Sequence, residues 1–361
     1  MNARPLRLGL TMGDPAGVGP ELALAAFRQR LTAASSHAPS GGSRDWREAQ
    51  LILFGDAATF RSAADIGGNG STESFASLPS FPALGPTPGL AVDESPGTAD
   101  RSSFLVDVSE FAPGPFPRNR VSAEGGRSSY HALLEAIRWA QRGWIDAIVT
   151  CPINKESLHA GGINFPGHTE ILEHETGSAE VGMMLTAPEI TCSLVTTHVP
   201  LADVPGLLSV DRIVRQIRLT HEVMRRLRDV ETPRLVVLGL NPHAGEHGLF
   251  GDEERRIIEP AIQAATAAGF RVVGPLPPDT AFLPSIRATT DAYICMYHDQ
   301  GLIPLKALAF DQGVNVTLGL PIIRTSVDHG TAFDIAWQGK ADPSSLYQAL
   351  DLAARLVDRS T

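Results

Sequence analysis

Three histidines in this chain share an unusual placement. "ITCSLVTTHVPL" runs through apolar and β-favouring residues from Ile190 and then reaches His198. "RLVVLGLNPHAGE" reaches His243 in the same way, and "DAYICMYHDQGLIPLK" reaches His298. Each run predicts a buried strand that stops in a turn carrying one imidazole. In open α/β sheets, ligands sit beyond the carboxyl ends of the strands. If the three strands are parallel neighbours, all three rings share one rim. Neutral imidazole nitrogen suits Zn²⁺, Co²⁺ and similar ions, and three protein ligands leave positions open for a substrate oxygen. A metal so held polarises a hydroxyl or a carbonyl. A histidine after a strand also serves as a cap or a simple hydrogen-bonding group. Spacing this long is less specific than HExxH, so on the residues alone both readings stand.

The elements around these turns alternate. "LRLGLTM", "AQLILFGD", "DAIVTCPI", "RLVVLGL", "RVVGPL" and "DAYICMY" read as strands. "PELALAAFRQRL", a stretch from about Ser129 to Arg142, "DRIVRQIRLTHEVMRRLRDV", "DEERRIIEPAIQAATAAGF" and residues 344–358 read as helices. Leu22, Ala25, Ala26 and Leu31 fall on one helical face. Such alternation predicts an α/β protein with a mainly parallel sheet covered by helices. Residues 33–48 are small and polar, and residues 67–99 are rich in Gly, Ser and Pro. Both read as loop insertions or partly disordered segments. The chain is expected to form one two-lobed catalytic unit over residues 1–361, with no sequence feature marking the lobe boundary.

The chain has 361 residues, of which 43% are apolar, so it can bury a large core. Its formal charge is −10, with 30 basic and 40 acidic residues. That gives no basic footprint for nucleic acid or an anionic membrane. No apolar run reaches membrane-span length, and the run after Arg7 is too short for a signal peptide. A soluble, cytoplasmic protein is expected. Cys151, Cys192 and Cys295 are odd in number, far apart and set in apolar segments, which predicts reduced core thiols. "GDPAGVGPE" follows a strand and opens a helix, but its spacing is not GxGxxG, and no GK[ST] completes a P-loop. A tight turn is the reading favoured there.

Longer motifs carry a resemblance. "TMGDPAGVGPE", "FPGHTE", "TTHVPL", "LNPHAGE", "GPLPPDTAF", "MYHDQGLIPLK" and "GVNVTLGLPIIRTSVDHGTA" occur in one order from about residue 6 to 355. Together they resemble the 4-hydroxythreonine-4-phosphate dehydrogenases, the PdxA family. The resemblance implies an isocitrate/isopropylmalate dehydrogenase-like α/β fold in two lobes, not a Rossmann fold. It makes His198, His243 and His298 ligands of a divalent metal (zinc, cobalt or magnesium). It makes His168, Thr169, Asp279, Lys306, Asn315 and Arg324 substrate contacts. On the residues alone, Lys306 and Arg324 read as solvated charges. As site residues they suit a phosphorylated substrate, Arg324 through two-pronged hydrogen bonds and Lys306 as a point charge. Asp279 and Lys306 are the candidates for the general base.

"DHGTAFDIAWQGKADP" (328–343) is similar to the HGTAPDIAGKGxANP loop of the isopropylmalate and isocitrate dehydrogenases. That likeness implies that His329, Gly330, Thr331, Ala332 and Asp334 hold the adenosine end of a dinucleotide. A carboxylate at Asp334 would accept from a ribose 2′-hydroxyl and repel a 2′-phosphate, so NAD is expected over NADP. The bland alternative makes Asp334 an exposed residue at a helix start. The implied reaction is metal-assisted oxidation of 4-phosphohydroxy-L-threonine in pyridoxine biosynthesis. The product, 2-amino-3-oxo-4-phosphonooxybutanoate, loses CO₂ to give 3-amino-2-oxopropyl phosphate. A homodimer with sites shared between subunits is implied as well. Two other readings remain: a related dehydrogenase of erythronate 4-phosphate or an aromatic-acid cis-dihydrodiol, and a three-histidine metallohydrolase.

Overall fold

In the computed structural model the described residues are 4–35, 45–66, 80–82, 103–111 and 114–358. They form two compact units. The first comprises the chain up to Ala179 and the return from Leu320. The second is the continuous stretch Glu180–Gly319.

The first unit is built on parallel strands in the order β3–β4–β2–β1–β5–β12. Their ranges are β1 (Arg7–Thr11), β2 (Gln50–Gly55), β3 (Ser80–Pro82), β4 (Phe104–Asp107), β5 (Ala147–Thr150) and β12 (Ile323–Val327). Every residue of β1, β2 and β5 is buried, as expected for parallel strands covered on both faces. The helix Ala123–Gln141 lays Leu133, Ile137 and Trp139 against Phe54, Phe104 and Ile148.

Two expectations are corrected here. The helix predicted from about Ser129 begins at Ala123, capped by Ser122, whose hydroxyl accepts from Gly125 N–H at 3.0 Å. Gly125 and Gly126 argue against helix by propensity, but a Cβ at Gly126 would strike the Ser157 carbonyl. Close helix packing on Lys155–Ala160 therefore demands the glycine. The segments 33–48 and 67–99 are not wholly loop. The first helix, Gly19–Ser35, runs into one of them. Trp46 in the 3₁₀ turn Trp46–Glu48 is buried and stacks on Tyr347 at 5.4 Å. Ser80–Pro82 pairs with β4. Residues 36–44, 67–79 and 83–99 lie outside the described residues.

The second unit has the order β11–β6–β7–β10–β8–β9. Its strands are β6 (Gly182–Ala187), β7 (Ile190–Leu194), β8 (Leu235–Leu238), β9 (Val272–Leu276), β10 (Ala292–Cys295) and β11 (Val314–Leu318). β7, β10, β8 and β9 are parallel, while β6 runs antiparallel to both β7 and β11. Each of the three histidine-bearing runs is thus a strand, and the three are parallel neighbours. The strands end earlier than the apolar runs suggest: β7 stops at Leu194, β8 at Leu238 and β10 at Cys295. The residues beyond make the turns. The three cysteines are free and buried, as expected.

Candidate active site

His198, His243 and His298 leave the carboxyl ends of β7, β8 and β10 on one rim of the second unit. The exits are tied together by buried polar groups. Thr196 Oγ1 donates to the Met296 carbonyl at 2.7 Å, linking the β7 and β10 exits. Gln300, buried, accepts from Met296 N–H and donates to the Gly239 carbonyl, each at 2.7 Å, linking β10 to β8. Gly301 lets the helix His298–Ala309 lie close to the sheet: a Cβ there would sit 2.8 Å from Cys295 Sγ and 2.9 Å from Cys192 Cβ.

The rings of His198 and His298 lie 5.7 Å apart between centroids. His298 Nδ1 is 2.7 Å from Asp299 Oδ1, a contact of the kind that orients an imidazole and leaves Nε2 able to bind a metal. This pair and its chemistry suit a divalent cation. His243 stands on the neighbouring exit. Among the described residues of one chain, no group of three or more His, Cys, Asp or Glu side chains converges on a single metal position.

The His243 turn has a backbone of its own. Residues 243–248 all have positive φ: 54°, 53°, 79°, 40°, 58° and 97°. Four of them, His243, Ala244, Glu246 and His247, are not glycine. A left-handed conformation costs an ordinary residue about 1–2 kcal/mol, and it normally occurs singly. The turn is held from beneath by Glu254, only 3% exposed. Its Oε1 accepts from Leu240 N–H at 2.7 Å and Asn241 N–H at 2.8 Å, and its Oε2 from Asn241 Nδ2 at 2.9 Å. Glu254 opens a π-helical turn, Glu254–Ile258, the wide helical geometry often found at functional sites. Above it a cavity of about 650 Å³ is lined by His243, Glu246, His247, Glu254, Arg255 and Glu259.

The remaining second-unit residues are more scattered. Asp279 is exposed in the short helix Pro278–Ala281, which packs on the His243 turn. Lys306 is half-buried on the helix that His298 begins, with its ammonium 5.8 Å from the centre of the Phe310 ring. Asn315 lies on β11 opposite Leu185, with Oδ1 buried and lacking a hydrogen-bond partner.

In the first unit, Arg324 overturns its reading as a solvated charge. It lies on β12, 3% exposed, and its Nη2 donates to Thr150 Oγ1 at 2.8 Å. Burial draws the guanidinium down to about 10, so it stays a cation at neutral pH. His168 and Thr169 open the helix His168–Thr176, whose N-terminus has no side-chain cap. Burial, and then the Arg324 charge, hold His168 well below the usual imidazole range. Its Nε2 is enclosed and has no hydrogen-bond partner. A buried cation, a neutral imidazole and free helix N–H groups together favour an oxyanion.

Residues 329–332 are irregular and 333–339 a run of turns, so Asp334 starts no helix; it is exposed. The glycine-rich stretch proves to be its platform. A Cβ at Gly17 would sit 2.8 Å from the Thr331 carbonyl oxygen, and Val18 N–H donates to that oxygen at 3.0 Å. Glu21 accepts from Trp337 N–H at 2.6 Å and Gly339 N–H at 2.7 Å. Asn119 Nδ2 donates to the Phe333 and Ala336 carbonyls, and Arg118 lies 4.1 Å above the Trp337 ring. Trp337 stands where the HGTAPDIAGKG pattern has glycine, and it has a positive φ of 62°, a conformation that favours glycine.

Glu254, Gln300, Glu21 and Asn119 carry no signal in the sequence as site residues. Each reads as an ordinary surface polar group. Only the spacing of Glu21 three residues after Val18 in the glycine turn hints at its place.

A family profile described as "Pyridoxal phosphate biosynthetic protein PdxA" matches residues 47–353. A 4-hydroxythreonine-4-phosphate dehydrogenase of Desulfosudis oleivorans is 44% identical over 358 residues, 98% of this chain and 96% of that protein. A D-threonate 4-phosphate dehydrogenase of Salmonella typhimurium is 40% identical over 355 residues, 97% of this chain and 98% of that one. The crystal structure of 4-hydroxythreonine-4-phosphate dehydrogenase from Klebsiella pneumoniae superposes with a TM-score of 0.78 at 36% identity, covering 99% of each chain. With the histidine-bearing strand ends and the loop that Gly17 supports, this near-complete likeness makes the chain a member of the PdxA family.

Proposed function

We infer that the protein oxidises 4-phosphohydroxy-L-threonine with NAD and a divalent metal, as an enzyme of pyridoxal phosphate biosynthesis. The observation that carries this reading is the row of three histidines on adjacent parallel strand ends in a chain of this family. When bound at these histidines a divalent ion would supply a Lewis acid for the substrate alcohol, and NAD would supply the hydride acceptor. His198, His243 and His298 hold the ion, be it zinc, cobalt or magnesium. Arg324, with His168 and Thr169, binds an oxyanion of the substrate. The neutral His168 donates or accepts a single hydrogen bond without adding charge. Lys306 and Asn315 orient the polar end of the substrate, and Asn315 Oδ1 accepts from an amine or hydroxyl. Asp279 or Lys306 takes the alcohol proton. Asp334, exposed on its turn, accepts from the ribose hydroxyls, which selects NAD over NADP. The ketone product is a β-keto acid, and loss of CO₂ gives 3-amino-2-oxopropyl phosphate.

The active form is a homodimer. Among the described residues of one chain, no three His, Cys, Asp or Glu side chains share one metal position, so a second subunit would complete the ligand set of His198, His243 and His298. Large apolar side chains are exposed mainly on the second unit: Leu201 at 67%, Leu249 at 71%, Ile303 at 67% and Phe310 at 70%. Such exposure favours burial against another protein surface. The composition and the lack, among the described residues, of a helix long and apolar enough to cross a membrane fit work in the cytoplasm.

The deciding assay supplies purified protein with a defined divalent ion, NAD and 4-phosphohydroxy-L-threonine, and follows absorbance at about 340 nm, where the reduced nicotinamide absorbs. The D-threonate 4-phosphate relative supports a second reading, a sugar-acid phosphate substrate. Turnover of D-threonate or erythronate 4-phosphate in preference to the amino acid would establish that reading instead. Higher catalytic efficiency with NADP than with NAD would remove the assignment of Asp334.

A further inference from the structure

We propose that Glu254 is a positioning residue that shapes the metal site by holding the left-handed turn on which His243 stands. The inference rests on the metal reading above and adds a residue to it. The turn begins at the ligand: His243 is the first of six successive positive-φ residues. Ala244 and Glu246 have no preference for that backbone, and histidine, though enriched there, adopts it in only a minority of cases. Something outside the turn must fix it, and Glu254 holds the chain that enters the turn and lies against its middle at Gly245. Its carboxylate receives the last two N–H groups before the turn and the Asn241 side chain. The same carboxylate fills the space beneath the turn. A Cβ on Gly245 would lie 2.7 Å from Oε2, and one on Gly239 would lie 3.2 Å from Oε1.

A carboxylate suits this place better than an amide. All three groups aimed at it are donors, and an ionised carboxylate only accepts. In Glu254→Gln one end of the side chain becomes an NH₂ facing either two backbone N–H groups or the Asn241 amide. Either orientation sets donor against donor. The turn then loses its floor while the strands and the hydrophobic core keep theirs. His243 moves relative to His198 and His298, and the ion loses a well-placed ligand. Outer contacts of this kind change metal affinity by about 10–100-fold.

The test uses Co²⁺ as the probe, with the full-length wild type, Glu254→Gln and Asn241→Ala. Calorimetry gives the Co²⁺ affinity, visible absorption reports the cobalt coordination, and NAD affinity is measured alongside. The expected result is Co²⁺ binding weakened by at least about tenfold in Glu254→Gln, with an altered cobalt spectrum. Asn241→Ala, which leaves both backbone donors to Glu254 Oε1 and removes the side-chain donor shared by Glu254 and Glu253, should show a smaller loss in the same direction. NAD affinity, set by the 329–334 segment of the other unit, should stay within about twofold in both variants, a change too small to matter energetically. If Glu254→Gln does not fold, Asn241→Ala decides alone. Wild-type affinity and spectrum in the variants that fold would overturn the role of Glu254 and leave the metal reading intact. A wild-type protein that takes up no Co²⁺ would overturn both.

Discussion

At the scale of single residues, the roles follow from what a side chain can donate, accept or carry. Arg324 presents a buried planar cation on β12. Arg324→Lys keeps the charge and loses the fork. Its catalytic efficiency with the phosphorylated substrate should fall about 10–100-fold, the value of one or two charge-assisted hydrogen bonds. Steady-state kinetics with NAD saturating would show it, and unchanged efficiency would remove Arg324 from the site. Removing His198, His243 or His298 singly to Ala should abolish stoichiometric metal, as read by elemental analysis of the dialysed protein. The histidines were legible in the sequence because each ends an apolar run. The burial of Arg324 was not, since IRTSV mixes polar and β-branched residues and resembles an exposed edge. Glu254 was hidden for a similar reason: an acid beside two arginines in "DEERRII" reads as a solvated helical face.

Among elements, the helix Ala123–Gln141 shows how close packing overrides propensity. Two adjacent glycines near its start would ordinarily delay helix formation. Here the Ser122 cap and the approach of Ser157 make them part of the first turns. Ser122→Ala should cost about 1 kcal/mol, the usual worth of an N-cap. Gly126→Ala should cost about 1–3 kcal/mol through overpacking against the Ser157 carbonyl. Denaturant unfolding of both variants checks the order, Gly126→Ala being the less stable. The strongly apolar strands β1, β2, β5, β7, β8 and β10 were readable from their runs. β3, β6, β11 and β12 were not picked out, because short strands with Gly, Pro, Asn, Thr or Arg do not stand out from loop, and β4 was missed because its apolar run, Phe104–Val106, is only three residues long. The final helix, Ser344–Asp358, agrees with its sequence range residue for residue, because its amphipathic period is uninterrupted.

For the molecule as a whole, three imidazoles give a pH signature. Burial leads in holding His131, His168 and His221 below the ordinary value of 6.5. In the unfolded chain each takes up a proton as pH falls through 6.5, while in the folded protein each resists. The unfolded state then binds more protons, so their contribution to stability is whole above 6.5 and shrinks below it. The melting temperature should decline between about pH 7 and pH 5, and a flat profile there would contradict the burial of these rings. Light scattering tests the pairing of subunits: the wild type should be a dimer, and Ile303→Asp with Phe310→Asp should shift it toward monomer and lower its metal content. A wild-type monomer with full activity would end that proposal.

The first unit is interrupted, and this shapes how the chain comes off the ribosome. β5 emerges early and pairs with β1, but its other neighbour, β12, is made only after all of Glu180–Gly319. The helix Ser344–Asp358, which lies against β5 and β12, comes later still. Throughout that interval the nascent chain carries an open, apolar strand edge of the kind that invites pairing with the wrong partner. The strands of the insert, β6 to β11, are by contrast made in one unbroken stretch. A chain stopped at Gly319 should therefore aggregate through its amino-terminal portion.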